Sequence, residues 1–400
     1  MSRRTKQAII VLIISNFLVC IGMSLVFPVL PFIKNELHFS ALDMTMMSSL
    51  FAIAQLIASP FVGQLSDKIG KKPILIWGLF LYAFSEVLFA VTNYLWMFDI
   101  SRIIGGVSAA MVVPPTNALA AEITTPRQRA RVIGLLAAAF SGGLILGPGI
   151  GGMLANINLK TPFWCAAVLG LLSMVSLIFF LPKEKEIERS SNRKSHHVEP
   201  QSQGIWTMTR KLFSSPLAIL FVLIFVSSFG LVGFESIYSL YVNEVHHFTM
   251  ANIALVLTLN GLISLFFQVV LFDRMVVWLS EKRLITLCFG LSLFGTIWIV
   301  LAQAKWEVVV ATLVVFTCYD LVRPSLTTLL TKSTVSNQGF INGMNMALIS
   351  VGNIIGPIVS GILLDMNYHV PYLLVAVFLA VSAVLSFFVK NNYRIDISKA

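Results

Sequence analysis

Charged residues are scarce in this sequence. Only 12% of its 400 residues are Asp, Glu, Lys or Arg, and 57% are hydrophobic, with a mean hydropathy of +0.87. In soluble domains about a quarter of the residues are usually charged. A soluble fold cannot bury this much apolar surface, so the composition excludes an ordinary water-soluble protein and indicates a chain embedded in a bilayer.

The residue patterns that hold metals, nucleotides or disulfides are also lacking. The cysteines Cys20, Cys165, Cys288 and Cys318 stand singly in apolar stretches without metal-ligand spacing. We therefore expect no disulfide, no metal and no cofactor. The sequence has no phosphate-binding loop, which argues against ATP-driven transport. With no sizeable extramembrane domain either, neither an enzyme nor a receptor is expected.

Long apolar runs recur along the whole chain. A helix needs about 20 mostly apolar residues to cross a bilayer, and twelve such runs alternate with short polar segments. The sequence therefore predicts an all-α integral membrane protein with twelve transmembrane spans. Their predicted positions are 8–30, 44–66, 73–92, 96–118, 131–155, 162–181, 217–241, 252–272, 283–302, 307–330, 341–364 and 370–389.

The positive charges are unevenly shared between alternate loops. Of the 28 Lys and Arg residues, 23 fall on the side of the N-terminus, whereas the opposite loops contain only Lys34, Lys160 and Lys305. Because cytoplasmic loops are enriched in Lys and Arg, both termini are predicted to be cytoplasmic. The formal charge of +10 therefore reflects orientation in the membrane. No nucleic-acid partner is expected, since the charges are scattered over alternate loops.

One long polar segment divides the chain into two halves. Residues 183–216 are rich in charge and have no apolar periodicity. They are predicted to be a cytoplasmic linker between a six-helix half at 1–182 and a second six-helix half at 217–400. The paired His196 and His197 of this linker are expected to be solvated loop residues, because no carboxylate or Cys lies at ligand spacing.

The two halves resemble each other in sequence. Gly143-Leu-Ile-Leu-Gly147-Pro148 of the fifth span has a counterpart 209 residues later, Gly352-Asn-Ile-Ile-Gly356-Pro357 of the eleventh. Pro115 and Pro324 stand in the same relation. Parallel repeats of this kind form transporters whose central site opens alternately to each side of the membrane, so alternating access is predicted.

Three motifs resemble those of the major facilitator superfamily. Gly63-Gln-Leu-Ser-Asp67-Lys-Ile-Gly70 is similar to its loop motif, Ser101-Arg102-Ile-Ile-Gly105-Gly106 to its fourth-helix motif, and the Gly147-Pro148 segment to its antiporter motif. Shorter segments resemble the bacterial multidrug efflux pumps of this superfamily: Phe27–Pro31, Ser228–Gly230, Phe234–Glu235, Tyr238–Tyr241, Val315–Phe316 and Asp320–Pro324. The second copy of the loop motif has decayed to Leu271-Phe-Asp273-Arg274.

The resemblance implies a fold and a function. The fold is that of a major facilitator, and the function is proton-coupled multidrug antiport, which exports hydrophobic and cationic compounds such as quinolones, dyes and quaternary ammonium ions. The expected partners are such small amphipathic drugs, protons and the lipid bilayer. We expect a monomer in a bacterial plasma membrane. The alternative is an exporter of one endogenous metabolite or sugar on the same fold.

Charged side chains within the spans are the candidates for proton coupling. Each costs about 2.5 to 3.5 kcal/mol at the centre of a span. Glu235 has no charged neighbour in sequence, and its alternative role is a carboxyl kept protonated by Ser236 or Tyr238. Asp320 and Arg323 share one helix face, where they form either a switch or a permanent ion pair. The resemblance implies that Glu235 and Asp320 are the proton-coupling acids.

Further polar and aromatic positions are candidates for a substrate pocket. Apolar walls with a few polar groups suit bulky amphipathic or cationic substrates. Arg102 lies near Glu86 and Asp99, so it forms either a structural ion pair or part of the pocket, and the resemblance implies that it faces a central cavity. The predicted pocket residues are Phe51, Gln55, Arg102, Phe140, Ser141, Tyr238 and Asn353.

A last group of residues is predicted to act in gating. Gly63 and Gly70 are expected to allow tight turns, and Asp67 to pair with a cation or a helix N-terminus as a latch. The glycines of the fifth span let a partner helix approach closely, either as static packing or as a hinge at the proline. This second set is Gly143, Gly147, Pro148 and Gly151.

Overall fold

In a computed structural model the chain is α-helical, and no β-strand occurs over the residues described, 3–181, 217–332 and 338–389. The predicted linker, with His196 and His197, lies outside these residues. A π-helical segment, Phe267–Leu271, joins the helices Met250–Phe266 and Phe272–Leu301. The helices are α1 Arg3–Ser24, α2 Leu30–Leu37, α3 Ala41–Ile69, α4 Lys71–Val91, α5 Leu95–Glu122, α6 Pro126–Ala155, α7 Thr161–Phe180, α8 Ala218–His246, α9 Met250–Phe266, α10 Phe272–Leu301, α11 Lys305–Lys332, α12 Gln338–Met366 and α13 Val370–Phe388.

The helices form the twelve predicted spans. Eleven continuous helical stretches of the described chain are long and apolar enough to cross a bilayer, and one of them, Met250–Leu301, has 52 residues. At 1.5 Å per residue this stretch measures about 78 Å, more than twice the hydrocarbon thickness of about 30 Å. Its backbone turns at Ser280, where φ is 63° and ψ is 156°. The stretch therefore crosses twice, which gives twelve spans.

Two spans differ from the prediction by more than five residues at one end. The first ends at Ser24 instead of near residue 30, because Pro28 supplies no N–H for a helical hydrogen bond, and short turns follow in which Phe27 N–H bonds to the Ser24 carbonyl at 3.4 Å. The eighth runs through the π-segment to Ser280 instead of ending at 272. Backbone hydrogen bonding continues there after the apolar run has stopped.

The helices pack into two compact units. Unit 1 contains the described residues 3–181 and 248–261, and unit 2 contains 217–247 and the described residues from 262 onward. In unit 1, α1 packs on α6 and α7, and α4 packs on α5 and α7. In unit 2, α8 packs on α12 and α13, and α10 packs on α11 and α13. The predicted sequence repeat is therefore also a repeat of helix packing.

Each unit has an ion pair at the same place. In unit 1, Lys71 Nζ lies 2.8 Å from Glu122 Oε1, which joins the start of α4 to the end of α5. In unit 2, Glu281 Oε1 accepts from Lys332 Nζ and joins α10 to the end of α11. Both unit 2 residues follow their unit 1 counterparts by 210 positions. The ion pair thus lies at the same place in both units, but the acid and the base have exchanged positions.

A lysine caps a helix in each unit. Lys72 Nζ donates to the carbonyl of Ile178 at 3.1 Å and to that of Leu181, at the end of α7. Lys282 Nζ donates to the carbonyl of Phe387 at 2.7 Å, at the end of α13. Carbonyls at a helix C-terminus lack partners within the helix, and a cation also complements the helix dipole there. Lys72 and Lys282, near the cytoplasmic ends predicted for their spans, therefore stabilise helix ends in addition to any effect on orientation.

Reversing one partner of the unit 2 ion pair should destabilise the protein. Glu281→Lys places two cations together, and we expect a loss of about 1 kcal/mol. The double variant Glu281→Lys/Lys332→Glu, which has the polarity of unit 1, should recover it. The measurement is the thermal unfolding of purified protein. Arg274→Glu, at an exposed position of α10, serves as control, and equal destabilisation of the single and double variants would contradict the pairing.

Candidate functional site

Glu235 is an exposed carboxylate in the middle of a packed helix. Most of α8 is buried, and the neighbours Phe234 and Ile237 are both 0% exposed. Glu235 itself is exposed. Its side chain thus reaches accessible space, at a place where Asp320 and Arg323 of α11 lie close enough to interact with it electrostatically. A carboxyl that is not enclosed by packing can exchange a proton, which the predicted role requires.

Asp320 is held by a hydroxyl group from another helix. Ser264 Oγ of α9 donates to Asp320 Oδ2 at 2.5 Å. Arg323 is exposed, and no ion pair between Asp320 and Arg323 is found among the salt bridges of the described residues. The two side chains are therefore not in ion-pair contact in this structure, and the choice between a switch and a permanent pair stays a prediction. Sequence reasoning missed Ser264, although a lone serine in the apolar run 261–272 was a usable signal.

Arg102 forms an ion pair within unit 1. Its Nη2 lies 3.2 Å from Glu86 Oε1, with 17% of the Arg102 side chain and 4% of the Glu86 side chain exposed. The guanidinium also lies 4.6 Å from the ring centroid of Phe89. Of the two alternatives for Arg102, the ion pair is the one that this structure contains, and a pocket role stays a prediction.

Lys160 is a second cation of unit 1 that lies against aromatic rings. Its Nζ donates to the carbonyls of Phe89 at 3.2 Å and Thr92 at 2.6 Å, and it lies 4.6 Å from the ring centroid of Phe98. Burial lowers the pKa of Lys160 to about 8, and the Glu36 carboxylate opposes this shift. From the sequence, Lys160 was predicted only to be a charged loop residue. Its contacts could not be predicted, because the partners lie about 70 residues away in the chain.

The predicted pocket residues of unit 1 lie on two helices. Phe51 and Gln55 are half-buried on α3, and Phe140 and Ser141 are half-buried on α6. Near Phe51, the helices α3 and α5 touch at Gly106, where a Cβ atom would stand only 3.1 Å from the backbone nitrogen of Gln55. The glycine of the fourth-span motif therefore serves close packing.

Two predicted pocket residues belong to unit 2. Asn353 is half-buried on α12, and its Oδ1 makes no hydrogen bond to the described residues. Tyr238 is only 1% exposed and packs edge-on against Phe316, with ring centroids 5.6 Å apart. Tyr238 is therefore a core residue in this structure, and its place in a substrate pocket stays a prediction. The three-residue spacing of Glu235 and Tyr238 did not predict this burial. The two side chains leave α8 in different directions.

The glycines of α6 lie against α1. A Cβ atom at Gly143 would stand 2.8 Å from the carbonyl oxygen of Phe17, and one at Gly147 would stand 2.8 Å from that of Ile21. A Cβ atom at Gly151 would collide with the backbone of Leu25. Three glycines four residues apart thus let two helices touch backbone to backbone. Pro148, which is buried within this seam, does not end α6.

The same seam occurs in unit 2. A Cβ atom at Gly352 would stand 2.8 Å from the amide nitrogen of Phe229, and one at Gly356 would stand 2.7 Å from its carbonyl oxygen. These contacts join α12 to α8. The two glycine segments, which the sequence predicted to correspond, therefore make corresponding helix contacts in the two units.

A second face of α6 packs on the start of the eighth span. A Cβ atom at Gly152 would stand 2.6 Å from Ala254 Cβ, and one at Gly149 would stand 3.1 Å from Thr258 Oγ1. These contacts place residues 248–261 in unit 1, although they follow the predicted linker in the chain. The division into halves predicted from the sequence did not anticipate that this segment packs in unit 1.

The loop motif forms a turn at only one of its two glycines. Gly70 has a φ of 94° and a ψ of 158° and separates α3 from α4. Gly63 lies inside α3 with no atom within 4 Å of a Cβ placed there, so the turn expected at Gly63 is wrong. Asp67 is exposed and lies 3.8 Å from Lys71 Nζ. Ser280 has nearly the backbone conformation of Gly70 at the equivalent turn of unit 2.

Comparisons with known proteins agree with this architecture. The family described as Major Facilitator Superfamily matches residues 12–335. Multidrug resistance protein 1 of Bacillus subtilis is 37% identical over 382 residues, which cover 95% of this chain and 96% of the relative. Quinolone resistance protein NorA of Staphylococcus aureus is 35% identical over 376 residues, with coverage of 94% and 95%.

Solved structures share the fold. A nucleoside transporter, NupG, matches with a TM-score of 0.78 at 12% identity, over 96% of this chain and 98% of that one. A D-xylose-proton symporter matches with a TM-score of 0.76 at 15% identity, over 99% of both chains. At identities this low, the matches show only that the fold is shared.

Alanine at Gly147 should destabilise the protein. The added methyl group would collide with Ser24 and Ile21, and overpacking of this kind costs about 1 to 3 kcal/mol. Gly134 is the matched control, since it lies on the same helix with nothing within 4 Å, and Gly134→Ala should gain up to about 1 kcal/mol. Thermal unfolding of the two variants measures this difference. Equal effects would show that the α1–α6 seam is not tightly packed.

Removing one partner of the buried ion pair should cost more than removing both. Glu86→Leu leaves Arg102 buried without its carboxylate, and a loss of about 3 to 5 kcal/mol is expected. In Glu86→Leu/Arg102→Met no uncompensated charge remains, so most of that loss should be recovered. Unfolding measurements test this, and transport by the double variant shows whether Arg102 has a role beyond its ion pair.

Proposed function

Because the chain belongs to the major facilitator superfamily, we propose that it is a proton-coupled multidrug antiporter that exports hydrophobic and cationic compounds by alternating access. Its relatives are named for multidrug and quinolone resistance, which supports several drugs, quinolones among them, as substrates. Dyes and quaternary ammonium ions are proposed from the resemblance of the motifs. The observation that carries the proposal is the exposed Glu235 carboxylate in the middle of α8. A span has no structural need for such a group.

The proposed coupling uses two carboxylates. Glu235 takes up a proton on one side of the membrane and releases it on the other. Asp320 alternates between the hydroxyl of Ser264, its partner in this structure, and the guanidinium of Arg323, which is one helical turn away and exposed. An ion pair stabilises the carboxylate and a proton disrupts that pair, so protonation can change the partner of Asp320.

The proposed substrate contacts combine aromatic and polar side chains. Phe51 and Phe140 offer apolar surface, and Gln55, Ser141 and Asn353 offer hydrogen-bonding groups. Their half-buried positions leave part of each side chain accessible. The glycine seam at Gly147 is further proposed to keep α1 and α6 in contact during transport and so to prevent leaks.

The proposed setting follows from the charge distribution and the relatives. Both termini face the cytoplasm of a bacterium, and the chain acts as a monomer in the plasma membrane. Halves 1–182 and 217–400, joined by the linker 183–216, are the proposed moving parts. Each proton that moves inward contributes about 2.3 kcal/mol per 100 mV of membrane potential.

Efflux driven by a pH gradient tests the coupling acids. Purified protein in vesicles loaded with ethidium should expel the dye when a gradient is imposed, and Glu235→Gln or Asp320→Asn should abolish the gradient-driven part. For one coupled proton, each unit of the imposed pH gradient is worth about tenfold in the attainable concentration ratio, and the variants should lose this factor. Glu36→Gln, at an exposed carboxylate of α2, is the control and should behave as wild type.

Two results would oppose the proposal. Undiminished gradient-driven efflux in both acid variants would remove the coupling assignment. Failure of chemically unrelated dyes to inhibit one another's transport would favour an exporter of a single metabolite or sugar.

A further inference from the structure

Two turns at the predicted outer side of the protein have the same local structure. The N–H of Lys160 donates to Asn158 Oδ1 at 2.8 Å. The N–H of His369 donates to Asn367 Oδ1 at 2.9 Å. A proline stands two positions later in each turn, at the start of α7 and of α13. The turns are 209 residues apart, as the glycine segments are. His369 therefore occupies in unit 2 the position that Lys160 occupies in unit 1.

These two side chains hold a helix end in different ways. Lys160 donates directly to two carbonyls at the end of α4. The Nδ1 atom of His369 lies 3.1 Å from the hydroxyl oxygen of Tyr241, and that hydroxyl donates to the carbonyl of Ile299 at 3.4 Å, near the end of α10. Unit 2 thus reaches the corresponding helix end through a tyrosine. Its imidazole, unlike the ammonium of unit 1, belongs to the side chain that changes its charge near neutral pH.

A second histidine lies against the same tyrosine ring. His246, at the end of α8, packs edge-on against Tyr241 with ring centroids 5.6 Å apart, and His369 does so at 5.8 Å. The two imidazoles are therefore at most about 11 Å apart. Both histidines are half-buried and lie outside the predicted spans 217–241 and 370–389. Charges at this distance interact appreciably at low salt, where screening is weak.

The charged groups that act on His246 all belong to basic residues. They come from the helix ends around it and are His247, Lys305 and His369. Lys305 Nζ also donates to the carbonyl of His247 at 3.0 Å, which joins the start of α11 to the end of α8. Protonation of His369 therefore adds a positive charge to a group that already includes a lysine.

The acids and phenols at the same helix ends do not offset this charge. The acids are not among the groups that act on His246, and they are Glu244, Glu307 and Asp365. Glu307 instead accepts hydrogen bonds from the N–H groups of Gln303 and Ala304, both at 2.9 Å. The phenols of Tyr241 and Tyr372, whose rings pack 4.5 Å apart, stay neutral near the pH at which imidazole titrates, since a phenol has a pKa of about 10.

We propose that His246 and His369 form a pH switch at the outer end of unit 2. While both imidazoles are neutral, His369 and Tyr241 hold the start of α13 to the ends of α8 and α10. When both imidazoles are protonated, their charges and that of Lys305 repel one another and loosen these helix ends.

The direction of the pH effect follows from the charges. Cations close to an imidazole disfavour its protonated form, so the folded cluster takes up protons less readily than the unfolded chain. The unfolded chain then binds more protons, and the cluster loses stability as the pH falls through about 6.5, where a free imidazole titrates.

The predicted orientation gives the switch a role. The charge distribution predicts that these turns face the outside of the cell, where protons are more concentrated whenever a gradient can drive export. Acid on that side then loosens the outer end of unit 2. The experiment below uses neither a gradient nor a substrate, so its failure is separate from a failure of the proposed transport function.

Hydrogen–deuterium exchange of the purified full chain tests the switch, at about pH 7.5 and about pH 5.5 with rates corrected for the intrinsic pH dependence of exchange. In low salt, exchange in 241–247 and 366–372 should be about threefold faster at the lower pH, as expected for two charges about 11 Å apart near a protein surface. The equivalent turn of unit 1, 156–163, contains Lys160 and no histidine and should not change. Salt at about 1 M should remove the difference, because the screening length is then about 3 Å.

Removing either histidine should abolish the acceleration at low pH. His246→Gln and, independently, His369→Gln keep a hydrogen-bonding side chain that takes up no proton, and the use of two variants guards against one failing to fold. His38→Asn is the control, because His38 is an exposed histidine at the end of α2 in unit 1. Its φ is 56°, which asparagine tolerates, and this variant should keep the full acceleration.

Three outcomes would overturn the switch. The first is an acceleration at low pH that both glutamine variants keep, since the histidines would then have no part in it. The second is unchanged or slower exchange of the wild type at the lower pH, because repulsion would then be absent or outweighed by attraction to acids. The third is an acceleration that about 1 M salt does not reduce or that the turn 156–163 shares, since neither would arise from repulsion between these charges.

Discussion

Hydrogen bonding of the backbone in a medium without water is the constraint on which this structure depends. In hydrocarbon every N–H and C=O needs a partner within the protein, which helices provide along their own length. Helices cannot then rely on the hydrophobic effect to hold them together, because lipid is as apolar as leucine. Close backbone contact becomes the main source of association. The seams of α6 on α1 and of α12 on α8 meet that need by removing side chains at Gly147 and Gly356.

Charged side chains within the spans also need partners or accessible space, and the two units meet this need differently. In unit 1, Glu86 and Arg102 neutralise each other, and the Arg102 guanidinium lies over the ring of Phe89. In unit 2, Glu235 is exposed and Asp320 accepts a hydrogen bond from the neutral hydroxyl of Ser264. A carboxylate already paired with a guanidinium gives up that pair when it takes a proton. Neither Glu235 nor Asp320 belongs to a salt bridge among the described residues, which supports the proposal that these two acids carry the proton.

Small substitutions on one repeated framework account for these differences. The α5 glycines Gly105 and Gly106 have no counterpart in α11, which contains no glycine, and Ser280 replaces Gly70 at the turn between spans. The ion pair at Glu281 keeps its position while its polarity is reversed. Packing geometry is thus retained between the halves, whereas the chemistry of the exposed and buried positions has diverged.

The sequence determined the number of spans and the two glycine seams, because hydropathy and four-residue spacing are local properties that a helix converts directly into a buried face. The tertiary structure decided which side chains meet. Ser264 reaches Asp320 across 56 residues of sequence, Tyr238 enters an aromatic core, Gly63 stays helical, and residues 248–261 pack in unit 1. None of these follows from a local pattern, because each depends on the distance and rotation between helices far apart in the chain.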